Sequence, residues 1–136
     1  MRNMSFAMTT AQYCAGTKDV TRRLGWKFLK RGGMFMGVKK ARGLKKGEKV
    51  ERLHASKCLS NRGERLDRML KDPVYGRAEV IREGFPEMSP AEFVAMFCQA
   101  NGCTPGTRVR RIEFDASYAK WRKAHPEAKP QRKGTL

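Results

Sequence analysis

Polar and apolar residues alternate loosely along Asn3–Met8, which predicts a first strand with Met4, Phe6 and Met8 on one face. A short helix over Thr10–Ala15 follows, and Gly16 is its natural stop because glycine tolerates the left-handed backbone that ends helices. Asp19–Leu24 alternates again, with Val20, Arg22 and Leu24 facing one way and Asp19, Thr21 and Arg23 the other. Lys30-Arg31-Gly32-Gly33 reads as a turn into an apolar strand, Met34–Val38. After the glycine-punctuated loop Lys39–Lys49, Val50–Leu59 is strand-like with imperfect alternation. Ser60–Glu64 reads as a polar turn, Leu66–Leu70 as a helical turn and Asp72-Pro73 as a breaker. Gly76–Glu83 predicts a short helix with Val80 and Ile81 inward, ended by Gly84-Phe85-Pro86.

The clearest helix is Pro90–Asn101. Ser89 can cap it, Pro90 suits its first position, Glu92 completes a capping box and Gly102 can terminate it. Its stripe of Phe93, Met96, Phe97 and Ala100 reads as core. Thr107–Phe114 is the last strand, with Val109 and Arg111 opposed to Arg110, Ile112 and Phe114. Beyond Ala116 the chain is basic, proline-containing and poor in aliphatics, which predicts a flexible tail over 118–136. Within that tail Tyr118 and Trp121 are read as docking on the domain, with base stacking as the alternative. The elements together describe one α+β domain over 1–117.

Charge changes this picture more than composition does. The 136 residues are 40% hydrophobic, enough for a core, but the formal net charge is +17. From Lys18 to Lys57 fourteen Lys or Arg face only Asp19, Glu48 and Glu51. Between Glu83 and Thr107, by contrast, there is no Lys or Arg, so the molecule is electrically two-sided. A solvated surface usually mixes both signs, and one-sided charge on this scale points to phosphate contact. Nucleic acid is therefore the expected partner. No segment approaches the roughly 20 apolar residues of a spanning helix, and the N-terminus has no secretory pattern, so an intracellular, cytoplasmic protein without a membrane partner is expected. Cys14, Cys58, Cys98 and Cys103 form no Cys-x-x-Cys pair, and His54 and His125 fit no zinc-finger spacing. Free thiols, no metal and no cofactor are expected.

Ala15–Trp26, AGTKDVTRRLGW, concentrates the candidate chemistry. Lys18 precedes a strand carrying Thr21, and a hydroxyl beside an amine is a nucleophile and base if burial lowers the lysine pKa. The spacing alone is common. The wider pattern, however, resembles the ASCH domain family: a short first strand, a helix ending Ala15-Gly16-Thr17-Lys18, then Val20-Thr21-Arg22-Arg23, a glycine turn into a strand, and a late acidic helix before a final strand. The resemblance covers roughly residues 3 to 116. It implies a PUA-like small β-barrel with flanking helices and a cleft that binds RNA or modified bases, with RNA favoured over DNA.

Within that family the chain is similar to N4-acetylcytidine amidohydrolases. The resemblance implies Thr21 as nucleophile, Lys18 as base and Glu83 as proton donor to the leaving amine, with Glu79 or Glu87 as alternatives for the glutamate. Asp19 and Gly33 depart from the family pattern, where a small or hydroxyl residue and an aspartate are usual. A binding module without hydrolysis needs less from the same residues. Lys18, Arg22 and Arg23 would hold a phosphate or flipped base, Trp26 would stack or pack beside Phe28, and Lys27, Lys39, Lys40, Arg42, Lys45 and Lys46 would grip the backbone. A protein-interaction factor that docks on an acidic surface also fits the charge.

Overall fold

The computed structural model describes residues 1–41 and 43–127. Within them five strands form one curled sheet: β1 (Arg2–Ser5), β2 (Val20–Arg23), β3 (Met34–Val38), β4 (Arg52–Arg65) and β5 (Arg108–Phe114), in spatial order β1-β3-β4-β5-β2. Among the described residues five helices surround it: α1 (Thr10–Ala15), α2 (Arg68–Lys71), α3 (Pro73–Arg82), α4 (Pro90–Asn101) and α5 (Ser117–Ala124). The result is an α+β half-barrel with flanking helices.

The long strand β4 makes the curl. It pairs with β3 through Lys57 and with β5 from Cys58 onward, and a register shift between Cys58 and Ser60 lies where it changes partner. Such an irregularity bends a strand and raises its twist, so the two halves of the sheet roll toward one another. The sheet does not close. Its edge strands, β1 and β2, face each other across a seam, which the Arg23 side chain spans by donating to the Ser5 carbonyl oxygen at 2.7 Å.

Two apolar clusters hold the fold. Inside the curl, Met4, Phe6, Tyr13, Phe35, Cys58, Ile112 and Phe114 pack together. Tyr13 comes so close to Gly37 that any Cβ there would lie 2.3 Å from its ring, so this strand position excludes every side chain. Behind the sheet, Leu66, Met69, Val80, Phe85, Phe93, Val94 and Phe97 join Val109 under α2, α3 and α4.

Helix α4 has the bounds its capping residues predict, with Ser89 and Glu92 exchanging both capping-box hydrogen bonds and Gly102 left-handed at φ 62°. Its Phe93 and Phe97 are buried and Met96 is half-buried, whereas Ala100 is exposed. Gly16 likewise ends α1 at φ 77°.

Elsewhere the structure corrects the sequence reading. Ser60–Glu64 is strand, not turn. Asp72-Pro73 ends α2 as a breaker should and also starts α3: the Asp72 carboxylate accepts from the Tyr75 amide at 3.2 Å, and Pro73 occupies the first helical position, where no donor is needed. Ile81 is exposed, because the inward stripe of α3 is Gly76, Glu79 and Val80. Met8 and Leu24 are exposed as well, since β1 and β2 end before them. The segment read as a flexible tail begins with α5, whose Ala119 is buried and whose Lys120 lies against Gly16 of α1. Tyr118 meets the His54 ring at 5.3 Å. Residues 128–136 of that segment lie outside the described residues.

Candidate functional site

The seam between β1 and β2 opens into two joined hollows. The outer one, about 880 Å³, runs past Arg2, Trp26, Phe28 and Lys40. The inner one, about 250 Å³, contains Lys18, Thr21, Arg22 and Glu83 over a floor that includes Phe85, Phe93 and Phe97. Ser5, Ala7, Arg23, Ala100 and Asn101 line both. Arg23 stands at the boundary: its Nε donates to Thr21 Oγ1 at 3.1 Å, and its guanidinium lies 5.1 Å from the Phe6 ring centre.

Backbone geometry brings the inner residues together. Asp19 donates its amide to the Arg82 carbonyl, and its carboxylate accepts from Arg82 Nε and Nη2 at 3.0 Å each, which ties the start of β2 to the end of α3. Asp19 is thereby taken up by Arg82. Gly84 then turns with φ +98°, a conformation other residues rarely adopt, and folds the chain against Gln12 and Lys18. Lys18 Nζ donates to the Glu83 carbonyl oxygen at 2.7 Å and to Glu83 Oε1 at 3.0 Å. Of the three candidate glutamates, Glu83 lines the cavity, Glu79 is buried behind the sheet with Arg111 and Arg22, and Glu87 is exposed.

Glu83 belongs to a buried charge layer that sequence reasoning missed. The ladder register places Arg22, Arg111 and Arg62 side by side on one sheet face. Opposite them, α3 presents Tyr75 and Glu79, and its C-cap Glu83 continues the same stripe at four-residue spacing. Arg22 donates to Glu83 Oε2 at 2.9 Å, Glu64 Oε2 at 2.8 Å and Glu79 Oε1 at 2.6 Å. Arg111 binds both oxygens of Glu79, and Tyr75 donates its hydroxyl to Glu64 at 2.7 Å. The signal was present in the sequence: two glutamates on the inner stripe of a helix, and arginines at strand positions that alternation turns toward it.

This layer sets the protonation of the site. Burial lowers the Lys18 pKa; Glu83 pulls it back up, Arg23 and Arg22 push it further down, and the net shift is downward. Burial alone would lower Arg22 too, but Glu83, Glu64 and Glu79 outweigh it and hold the guanidinium charged. Burial raises Glu79, yet hydrogen bonds from Arg111 and the charge of Arg22 win and bring it to about 2.

No hydrogen bond joins Lys18 to Thr21 among the described residues; the lysine is engaged by Glu83 and the threonine by Arg23. The outer hollow carries a ladder of its own. Arg2 lies 4.3 Å over the Phe28 ring, which is 5.2 Å from Trp26. Trp26 is half-buried against the inner core, with Phe28 beside it half-exposed, so it both packs and lines the groove. From the basic loop, Lys40 and Ala41 reach the groove. Lys27, Lys39, Lys45 and Lys46 are exposed away from its lining, and Arg42 lies outside the described residues.

Compared with protein-family models, curated proteins and solved structures, the chain matches none of them. No helix among the described residues is long and apolar enough to cross a membrane.

Proposed function

We propose that this chain binds single-stranded nucleic acid, RNA in preference to DNA, by laying the strand in the seam between β1 and β2 and seating one base in the inner cavity. One observation carries the reading: a cation-and-aromatic groove leads directly into a small polar pocket. Trp26 and Phe28 offer faces on which bases stack, while Arg2 and Lys40 meet the backbone. Lys18, Thr21 and Glu83 supply a donor, a hydroxyl and an acceptor for a base edge. The inner cavity lies just under the range of about 300–1,000 Å³ typical of drug-sized ligands, which suits a single base. The curled sheet with helices at its rim is compatible with a PUA-like barrel. That fold, the ASCH resemblance and the preference for RNA remain part of this proposal.

Titration of labelled single-stranded RNA, single-stranded DNA and duplex by fluorescence anisotropy tests the reading. Single-stranded RNA should bind best, and Trp26→Ala with Phe28→Ala should cost about 1–3 kcal/mol per stacked base. Unchanged affinity in that double variant would remove the groove from consideration.

A second reading, hydrolysis of N4-acylated cytidine, is favoured by one specific feature: a lysine of lowered pKa shares the inner cavity with a threonine hydroxyl. Thr21 would attack the acyl carbon as Lys18, turned toward it, takes its proton; Lys18 would then swing back and pass that proton to Glu83, which donates it to the departing N4. Water would then release acetate from Thr21. Lys18 must first turn from Glu83 toward Thr21. Incubation with N4-acetylcytidine decides the matter: cytidine and acetate should form with the wild type and fail to form with Lys18→Met or Thr21→Ala.

A further inference from the structure

Resting on that groove reading, we propose that the arginines at the far rim of the sheet, Arg65, Arg108 and Arg110, hold phosphates of the same strand after it leaves the seam. The ladder lays out the path. Arg23, at the mouth of the inner cavity, pairs with Arg110, which pairs with Gly63 of β4; one step further, Arg108 pairs with Arg65. Side chains two apart on a strand share a face, so these four arginines follow one another across three strands on the same side of the sheet.

Gly63 leaves the space they need. Arg108 Nη2 and Arg110 Nη1 both lie 3.2 Å from the point its Cβ would occupy, so the two guanidinium nitrogens are at most twice that distance apart. Two like charges this close repel unless an anion sits between them. Their neighbours do not supply one. Arg110 is anchored by neutral oxygens, donating to Asn61 Oδ1 at 2.9 Å and to the Asn61 carbonyl at 3.1 Å, and Arg23 is anchored by Thr21 and Ser5. Among the described residues no ion pair engages Arg108. The nearest carboxylates are already committed: Asp67 to Arg65 and Lys71, and Glu64 to Arg22, Arg62 and Arg68.

Beside this pair lies a hollow of about 410 Å³, whose wall carries Arg62, Arg65, Arg68, Lys71 and Arg108 in excess over the already paired carboxylates of Glu64 and Asp67. It is open to solvent, with guanidinium forks presented on exposed side chains, as backbone contact requires. A phosphodiester fits this site better than an acidic peptide because the arginines extend, without interruption, the row that starts at the cavity mouth.

The experiment is an affinity series over single-stranded RNAs of about 4 to 16 nucleotides, each at several salt concentrations, for the wild type, Arg65→Ala with Arg108→Ala, and Trp26→Ala with Phe28→Ala. Wild-type affinity should keep rising with length past the shortest RNAs that bind. In the arginine double variant short RNAs should bind within about twofold of wild type, while the gain with length disappears and the salt slope falls by about 0.7 per lost phosphate. Restoration by the lysine pair, Arg65→Lys with Arg108→Lys, separates charge from structure. A length gain that persists in the arginine double variant overturns the proposal while leaving the groove intact. Equal loss of short and long RNAs in a variant that melts normally overturns it too. A loss confined to anionic vesicles or polyglutamate, with RNA binding unaffected at every length, assigns the rim to another partner. Failure of the aromatic double variant to weaken short RNAs is the separate failure of the groove.

Discussion

Lys18 binds a single residue twice, donating from Nζ to the main-chain oxygen of Glu83 and to its carboxylate. The amine thus fixes both where α3 ends and where its last acid points. Because Glu83 also holds Arg22, Glu83→Ala should destabilise the fold by about 3–5 kcal/mol, the usual result of stranding buried cations. Lys18→Met should cost less, since Glu83 keeps Arg22. Urea melts of the two variants give the order, and an unshifted midpoint for Glu83→Ala would show that the layer tolerates the loss.

One acid and one base should titrate stability in separate windows. Glu79 is brought to about 2 in the folded protein, below the ordinary glutamate value of 4.5, so its contribution is present above about pH 4.5 and lost as pH falls toward 2. That shift corresponds to on the order of 3 kcal/mol. His54, desolvated against Tyr13, falls from 6.5 to about 4, so the unfolded chain takes up its proton first and stability drops as pH falls from 6.5 to 4. Melts at stepped pH should lose the upper slope in His54→Phe and the lower one in Glu79→Gln.

Helix α4 offers a test of packing against capping. Phe97→Ala should cost about 3–5 kcal/mol by removing buried contacts with the cluster around Phe93 and deepening the floor of the inner cavity, whereas Ser89→Ala should cost about 1. Near-equal, small shifts in chemical denaturation would place the helix at the surface.

The basic loop and the groove should differ in their response to salt. Lys45→Ala with Lys46→Ala should weaken all single strands alike and lower the salt slope by about 0.7 for each phosphate released. The Trp26 and Phe28 variants should lose affinity at an unchanged slope. Identical slopes for wild type and the lysine double variant would exclude the loop as a contact.

Helix α4 and the stop at Gly16 were legible because their signals are local: a cap, a proline, a glycine. The second half of β4 was not, because its polar residues serve the interior. Asn61 donates to the Trp26 and Leu29 carbonyls, and Glu64 is buried beneath Arg22. Such residues look like a turn until the partners that satisfy them are known. Helix α5 escaped for the opposite reason: it buries little beyond Ala119, and a small residue leaves no mark in a hydrophobic pattern. Lys18 and Thr21 stood out by spacing, whereas Glu83 entered through family resemblance, since its place depends on the Gly84 bend and on Arg82 reaching Asp19.

Strand β2 has β5 as its ladder partner, and the register joins Val20 to Glu113, near the other end of the chain. Contacts so distant in sequence form late and slowly, because a long loop must close before they are rewarded. During synthesis, β1 and β3 can meet while β2 still waits for a partner not yet translated. Lys18 and Thr21 are therefore expected to be positioned only once β5 has formed, because β5 is the ladder partner of β2 among the described strands.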